Sequence, residues 1–248
     1  MNKKTLIALI LSLSSVANAA GLEGLSLGLG AGYQQKPFVG DNSDWVPVPH
    51  IEYKSGPFFI KGLKMGFDVM EFGNTTVDIH AQYQALNYKT SDAPWPYNGL
   101  NDRKSTVLLG AGIGHRFDND IFINADLQGD ILGHSNELNA NAQLGYIYKM
   151  ASNFTLVPAV NLQWDDKKHN RYYYGVSASE SMLTGIPQYN PGASVTPSIA
   201  LGFVAKATDR FHVFGGVEVE FLPSKVKNSP ITDRSTLTNF ALGVNYNF

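Results

Sequence analysis

Apolar residues recur at every second position in one segment of this chain after another, a period that sends alternate side chains to opposite faces of a β-strand. Leu25, Leu27, Leu29, Ala31 and Tyr33 alternate with Ser26, Gly28, Gly30 and Gly32. Val77, Ile79, Ala81 and Tyr83 alternate with Asp78, His80, Gln82 and Gln84 in a strand expected over 75–88. The same reading gives strands over 105–115, 121–132, 137–148, 154–165, 195–206 and 211–221. The stretch 236–248 ends on Phe240, Leu242, Val244, Tyr246 and Phe248, with Asn239, Asn245 and Asn247 between them. One face suits hydrocarbon and the other suits water, as in the closing strand of an outer-membrane barrel with its aromatic girdle. Phe248 and Tyr246 are then the expected assembly signal.

The strand count turns on two segments. Residues 45–54 form a strand weakened by Pro47 and Pro49. Residues 58–70 form either one strand or two short ones meeting at Gly62-Leu63. Outer-membrane barrels keep short turns on the periplasmic side and long loops outside. One strand over 58–70 would put the long loop 89–103 on the periplasmic side. Splitting it puts the turns 55–57, 71–74, 117–120, 150–153 and 207–210 in the periplasm and the loops 35–44, 90–103, 167–193 and 222–234 outside. The expectation is an all-β, antiparallel, transmembrane β-barrel of 12 strands, with 10 as the fallback. A soluble sandwich would alternate with the same period; the turn parity and the terminal aromatic favour the barrel.

The front of the chain supports export. Met1-Asn-Lys-Lys is a short basic start, residues 5–16 are apolar but too few to span a bilayer as a helix, and Ala17-Asn18-Ala19 is a cleavage pattern. Residues 1–19 are expected to be a signal peptide and 20–248 the barrel domain. The chain has no Cys, which excludes disulfides, a lipid anchor on Cys and thiolate metal sites. Loss of Lys3 and Lys4 with the signal moves the formal charge from −2 to about −4, which points away from nucleic acid.

Charged groups on the watery face are the first candidates for chemistry. Asp68, Asp78, His80, Asp126, Asp130, His212, Glu218 and Glu220 are expected in the lumen. Carboxylates and imidazoles are the usual acid–base and ligand groups. No motif spacing names a catalytic or metal site among them, so the reading is a hydrogen-bonded lumen network without cofactor. His50, His115 and Ser135 were weighed as outward groups of a lipase-like site, without a recognisable partner. A narrow, cation-selective pore is a further possibility. The loops offer Trp95 and Tyr97 in Pro94-Trp-Pro-Tyr97, and Arg171, Tyr172, Tyr173 and Tyr174 in the long loop, as an aromatic contact surface. The competing reading is an aromatic belt at the membrane edge with loop packing over the barrel mouth. Residues 179–185 fit a short helix there, and Lys167, Lys168 and Arg171 suit lipopolysaccharide phosphates.

Several stretches carry a family resemblance. Arg171-Tyr-Tyr-Tyr-Gly-Val-Ser177, followed by Tyr189-Asn-Pro-Gly192, resembles the segment characteristic of the MipA/OmpV family of outer-membrane proteins. Residues 47–53 before Ser55-Gly-Pro-Phe58, and Gly62-Leu-Lys-Met-Gly66, resemble it too. The resemblance implies a non-enzymatic barrel of the bacterial outer membrane that scaffolds a lytic murein transglycosylase and a murein synthase. The alternative role is a narrow pore or surface adhesin acting in envelope stress or permeability. No catalytic residue is implied.

Overall fold

A computed structural model describes residues 24–41 and 43–248. The expected signal segment 1–19 lies outside the described residues. The strands are β1 (Gly24–Gln34), β2 (Asp44–Ser55), β3 (Phe58–Lys61), β4 (Lys64–Phe72), β5 (Thr75–Gln84), β6 (Thr106–Arg116) and β7 (Ile121–Asp130). They continue as β8 (Leu138–Tyr146), β9 (Tyr148–Ala151), β10 (Phe154–Asp165), β11 (Ser194–Lys206), β12 (Phe211–Phe221) and β13 (Thr236–Asn247). β8 and β9 are two parts of one stave, so the wall has twelve, each antiparallel to its neighbours. β1 pairs β13 from Ser26↔Asn247 to Tyr33↔Phe240, and the sheet closes on itself. Closure pairs the first strand with the last, which removes both terminal edges in a medium that offers no hydrogen bonds.

The split at Gly62-Leu63 is real. Lys61 pairs Lys64, leaving a two-residue connection in which Gly62 takes φ 59°, a left-handed conformation that glycine adopts without cost. This hairpin is short and reaches β2 only at Glu52–Ser55. The upper part of β2 is therefore paired on its β1 side alone. Ile51 turns its carbonyl toward the hairpin, accepting from Gly62 N–H at 2.8 Å. Pro47 and Pro49 share that parity, so the missing donors fall on the open edge. Prolines that weaken the segment as a sequence are placed where a strand tolerates them.

Outward positions are apolar along the wall, including Leu29, Leu109, Leu162 and Leu242, all exposed. Aromatics ring both ends, as barrels in membranes do. Tyr33, Trp45 and Phe240 cluster at the loop end, with ring centroids 5.3–5.8 Å apart. Phe211, Tyr246 and Phe248 cluster at the turn end, 4.8–4.9 Å apart. Two strands differ most from expectation. The strand expected over 75–88 ends at Gln84, beyond which the chain turns into the loop. The strand expected over 137–148 breaks at Ile147, which is buried beside Phe122 and Val157 instead of continuing the ladder.

Candidate functional site

The long loops do not stand open; they fold over the mouth as a cap with its own core. Phe38, Tyr88, Tyr173, Tyr174, Val226 and Ile231 come from the four long loops and are all buried there. Phe38 stacks on Tyr88 at 4.6 Å and on Tyr174 at 5.8 Å between centroids. Several buried hydroxyls are hydrogen-bonded, as burial demands. Tyr88 donates to Val39 O at 2.8 Å, Tyr173 to Lys104 O at 3.0 Å and Ser229 to Tyr174 O at 2.6 Å. Burial raises the Tyr88, Tyr173 and Tyr174 phenols well above their ordinary range, so all three remain neutral.

Three short helices shape the cap. α1 (Lys167–Tyr174) starts at Asp166, whose side chain accepts from the N–H groups of Lys168 and His169 at 2.9 Å. α2 (Ala178–Thr184) carries a capping box between Ser177 and Glu180. α3 (Ser224–Lys227) lies in the last loop. α2 covers most of the helix expected over 179–185, whereas α1 was not expected from the sequence.

Two ionic latches fix the cap. Arg103 Nη2 meets Glu180 Oε1 at 2.9 Å with both side chains buried, and Arg103 also donates to Gly175 O and Asn101 O. His169 Nδ1 lies 2.5 Å from Glu137 Oε2 and 3.8 Å from Asp165, tying α1 to the tops of β8 and β10. Burial works against the charged forms, but the partners win in both cases. Asp165 and the Glu137 hydrogen bond push His169 up to about 9. The Ser177 N–H and Arg103 hold Glu180 down at about 2.

The signs follow from linkage. His169 contributes stability that is complete below the ordinary imidazole range and fades as pH rises through about 9. The Glu180 contribution is complete above the ordinary carboxylate range and fades as pH falls toward about 2. External protease should therefore cut the cap loops faster at pH 10 than at pH 7. His169→Gln should cut fast at both, and an unchanged rate across that range would refute the latch.

The expected site residues separate into distinct groups. Trp95 and Arg171 are exposed on the cap, and Tyr97 and Tyr172 are half-buried. Tyr172 accepts from Lys104 N–H at 2.9 Å. Tyr173 and Tyr174 are the cap's core rather than its contact surface. In the lumen, Asp78 and His80 are 2.5 Å apart, Lys64 lies 3.4 Å from Asp78, and His80 Nε2 is 3.8 Å from Asp126. Glu218 accepts from Ser198 and Asn161, while Glu220 accepts from Asn239. His212 meets Asn247 near the turn end. Asp130 belongs to none of these: it binds Thr106 and the N–H groups of Leu132, Ser135 and Asn136, and so organises the turn after β7.

The lipase-like candidates do not assemble. His50 lies on the inner phase of β2 with its ring 4.6 Å from Phe214, Ser135 is spent on Asp130, and His115 bonds Thr75 Oγ1 at 2.7 Å. The latch residues Arg103, Glu137, His169 and Glu180 escaped the sequence reading. Only Ser177-Ala-Ser-Glu180, a capping-box pattern, signalled any of them.

Comparison with known proteins agrees with this architecture. The family model "MltA-interacting protein MipA" matches residues 27–248. The "MltA-interacting protein" of Escherichia coli (strain K12) is 31% identical over 251 residues, covering 100% of both chains. "Putative outer membrane protein YiaT" of the same organism is 26% identical over 244 residues, covering 98% of each. A solved NanC porin is similar at 10% identity and a TM-score of 0.45, over 90% of this chain and 100% of that one. This chain belongs to the MltA-interacting protein MipA family and is a twelve-stranded β-barrel of the bacterial outer membrane.

Proposed function

We propose that this barrel is a non-enzymatic scaffold that holds murein-remodelling enzymes, a lytic transglycosylase and a murein synthase, at the outer membrane. Its wall would contact membrane lipid and lipopolysaccharide. The observation that carries the reading is the full-length match to a protein named for interaction with MltA. The geometry is compatible with work through surfaces: the cap fills the mouth with a hydrophobic core, which counts against an open pore. The periplasmic turns are short and internally bonded. Asp120 pairs with Arg116 and, at 3.2 Å, with Lys149, and Asn74 donates to Asp118 at 3.2 Å. Such turns lose little freedom when a partner docks.

Capture from cross-linked envelopes tests the proposal. The tagged protein should recover a murein hydrolase, and charge reversal at the turns (D120K with K149E) should reduce recovery about tenfold, since rim charges steer association. A wild-type protein that recovers neither hydrolase nor synthase would sink the scaffold reading.

A further inference from the structure

We infer that the outer wall between β6 and β11 carries a binding site for one phosphorylated glycolipid of the external leaflet. The inference gives a place to the lipid contact proposed above, and rests on it. Two independent features coincide. The first is a groove of about 680 Å³ on the lipid-facing side of the wall. Ala111, Ala125, Ala140 and Ala142 form its floor, and Leu162 and Trp164 stand beside it. Register explains the depression. Ala111, Leu127, Ala140 and Trp164 lie in one row across the strands, with Ile113, Ala125, Ala142 and Leu162 in the next. The methyls thus sit in adjacent staves among larger neighbours. A concave strip of hydrocarbon in a membrane wall suits an acyl chain.

The second feature is a cluster of cations at the long-loop end of the same strands. Lys104, Lys167, Lys168 and Arg171 are exposed and make no ion pair among the described residues. Lys167 follows Trp164 by three residues, at most about 10 Å of extended chain. Lys104 lies two residues before β6, on the loop side of Ala111. The Tyr172 and Tyr173 hydroxyls grip the Lys104 backbone at 2.9 Å and 3.0 Å, which fastens it to the helix bearing Arg171. These groups stand on the long-loop side, the end of the barrel expected to face the outer leaflet. Lysine as a compact charge and arginine as a planar fork are both suited to phosphate. A second copy of this chain would bring the same cations against these, so charge favours an anionic lipid over a homodimer.

Native mass spectrometry of the detergent-solubilised barrel tests this. The probes are bisphosphorylated lipid A, its dephosphorylated form and phosphatidylethanolamine. One lipid A is expected per barrel. K167E/K168E/R171E should weaken it about tenfold or more, as each surface cation near an anionic lipid contributes. Filling the groove with A140F/A142F should weaken it similarly, and the dephosphorylated form should resemble the charge-reversed variant. Heat-modifiable gel migration of each variant verifies that its barrel is folded. If lipid A binds but ignores both sets of substitutions, or phosphatidylethanolamine binds equally, the site is refuted while the wider lipid contact stands. If no lipid A is retained, or the chain forms dimers through this face instead, both fall. Hydrolase capture by the same variants is a separate readout.

Discussion

Arg103→Ala is expected to unlatch the cap and cost about 3–5 kcal/mol, the range for leaving one half of a buried ion pair uncompensated. The guanidinium sits 2.9 Å from Glu180 and also holds the carbonyls of Gly175 and Asn101, so one truncation frees groups on two loops. Glu180 would keep its Ser177 and Asn101 hydrogen bonds, but its buried charge would lose its cation. The damage should stay local, because no stave contributes to this pair. External protease should cut near residues 85–105 and 175–193 at a rate at least tenfold above wild type, while heat-modifiable migration persists. Glu180→Gln should fall between the two, since it retains the capping geometry and loses the charge. If Arg103→Ala is cut no faster than wild type, the cap is not held by this pair.

The second large effect belongs to the seam. A Cβ at Gly28 would lie 2.7 Å from Asn245 Cβ and 2.9 Å from its Cα, and would also press on the Val244 carbonyl oxygen. These atoms belong to the strand that closes the barrel, so they cannot withdraw without opening the β1–β13 ladder. Overpacking costs about 1–3 kcal/mol where side chains can yield, and more is expected against backbone. Gly28→Val should therefore lower the urea midpoint sharply or abolish heat-modifiable migration. Gly129→Ala, whose Cβ would find Glu137 O at an ordinary 3.5 Å, should leave both unchanged. Equal behaviour of the two variants would show that the seam is not tight.

Much of the wall was legible because its two physical causes are local. Alternation marks each strand, and turn length marks which side of the membrane each connection occupies. The two-strand reading of 58–70 came from parity alone. The cap was not legible for the opposite reason. Phe38, Tyr88, Tyr174 and Ile231 are far apart along the chain and meet only because the staves bring four loops to one mouth. The Arg171–Tyr174 run reads either as a contact surface or as packing over the mouth, and only the helix decides, turning Tyr173 and Tyr174 inward. The lumen residues suffered similarly. Their inward phase was readable, but which of them touch depends on register across several strands, and Asp130 sits two inward positions above Asp126, beyond Gln128.

The cap also carries a record of timing. Its core joins residue 38 to residue 231: Val39 N–H bonds Ile231 O at 3.0 Å, and Phe38 bridges Thr232. Contacts between such distant parts of a chain carry a loop-closure cost that is met only after the intervening segments are in place. Here those segments are the whole wall, from β2 to β12. A barrel still waiting for its final strand holds residue 38 and residue 231 on opposite sides of an open gap. Sealing of the mouth therefore reports that the last stave has found the first, and an unfinished barrel stays open to the outside until that moment.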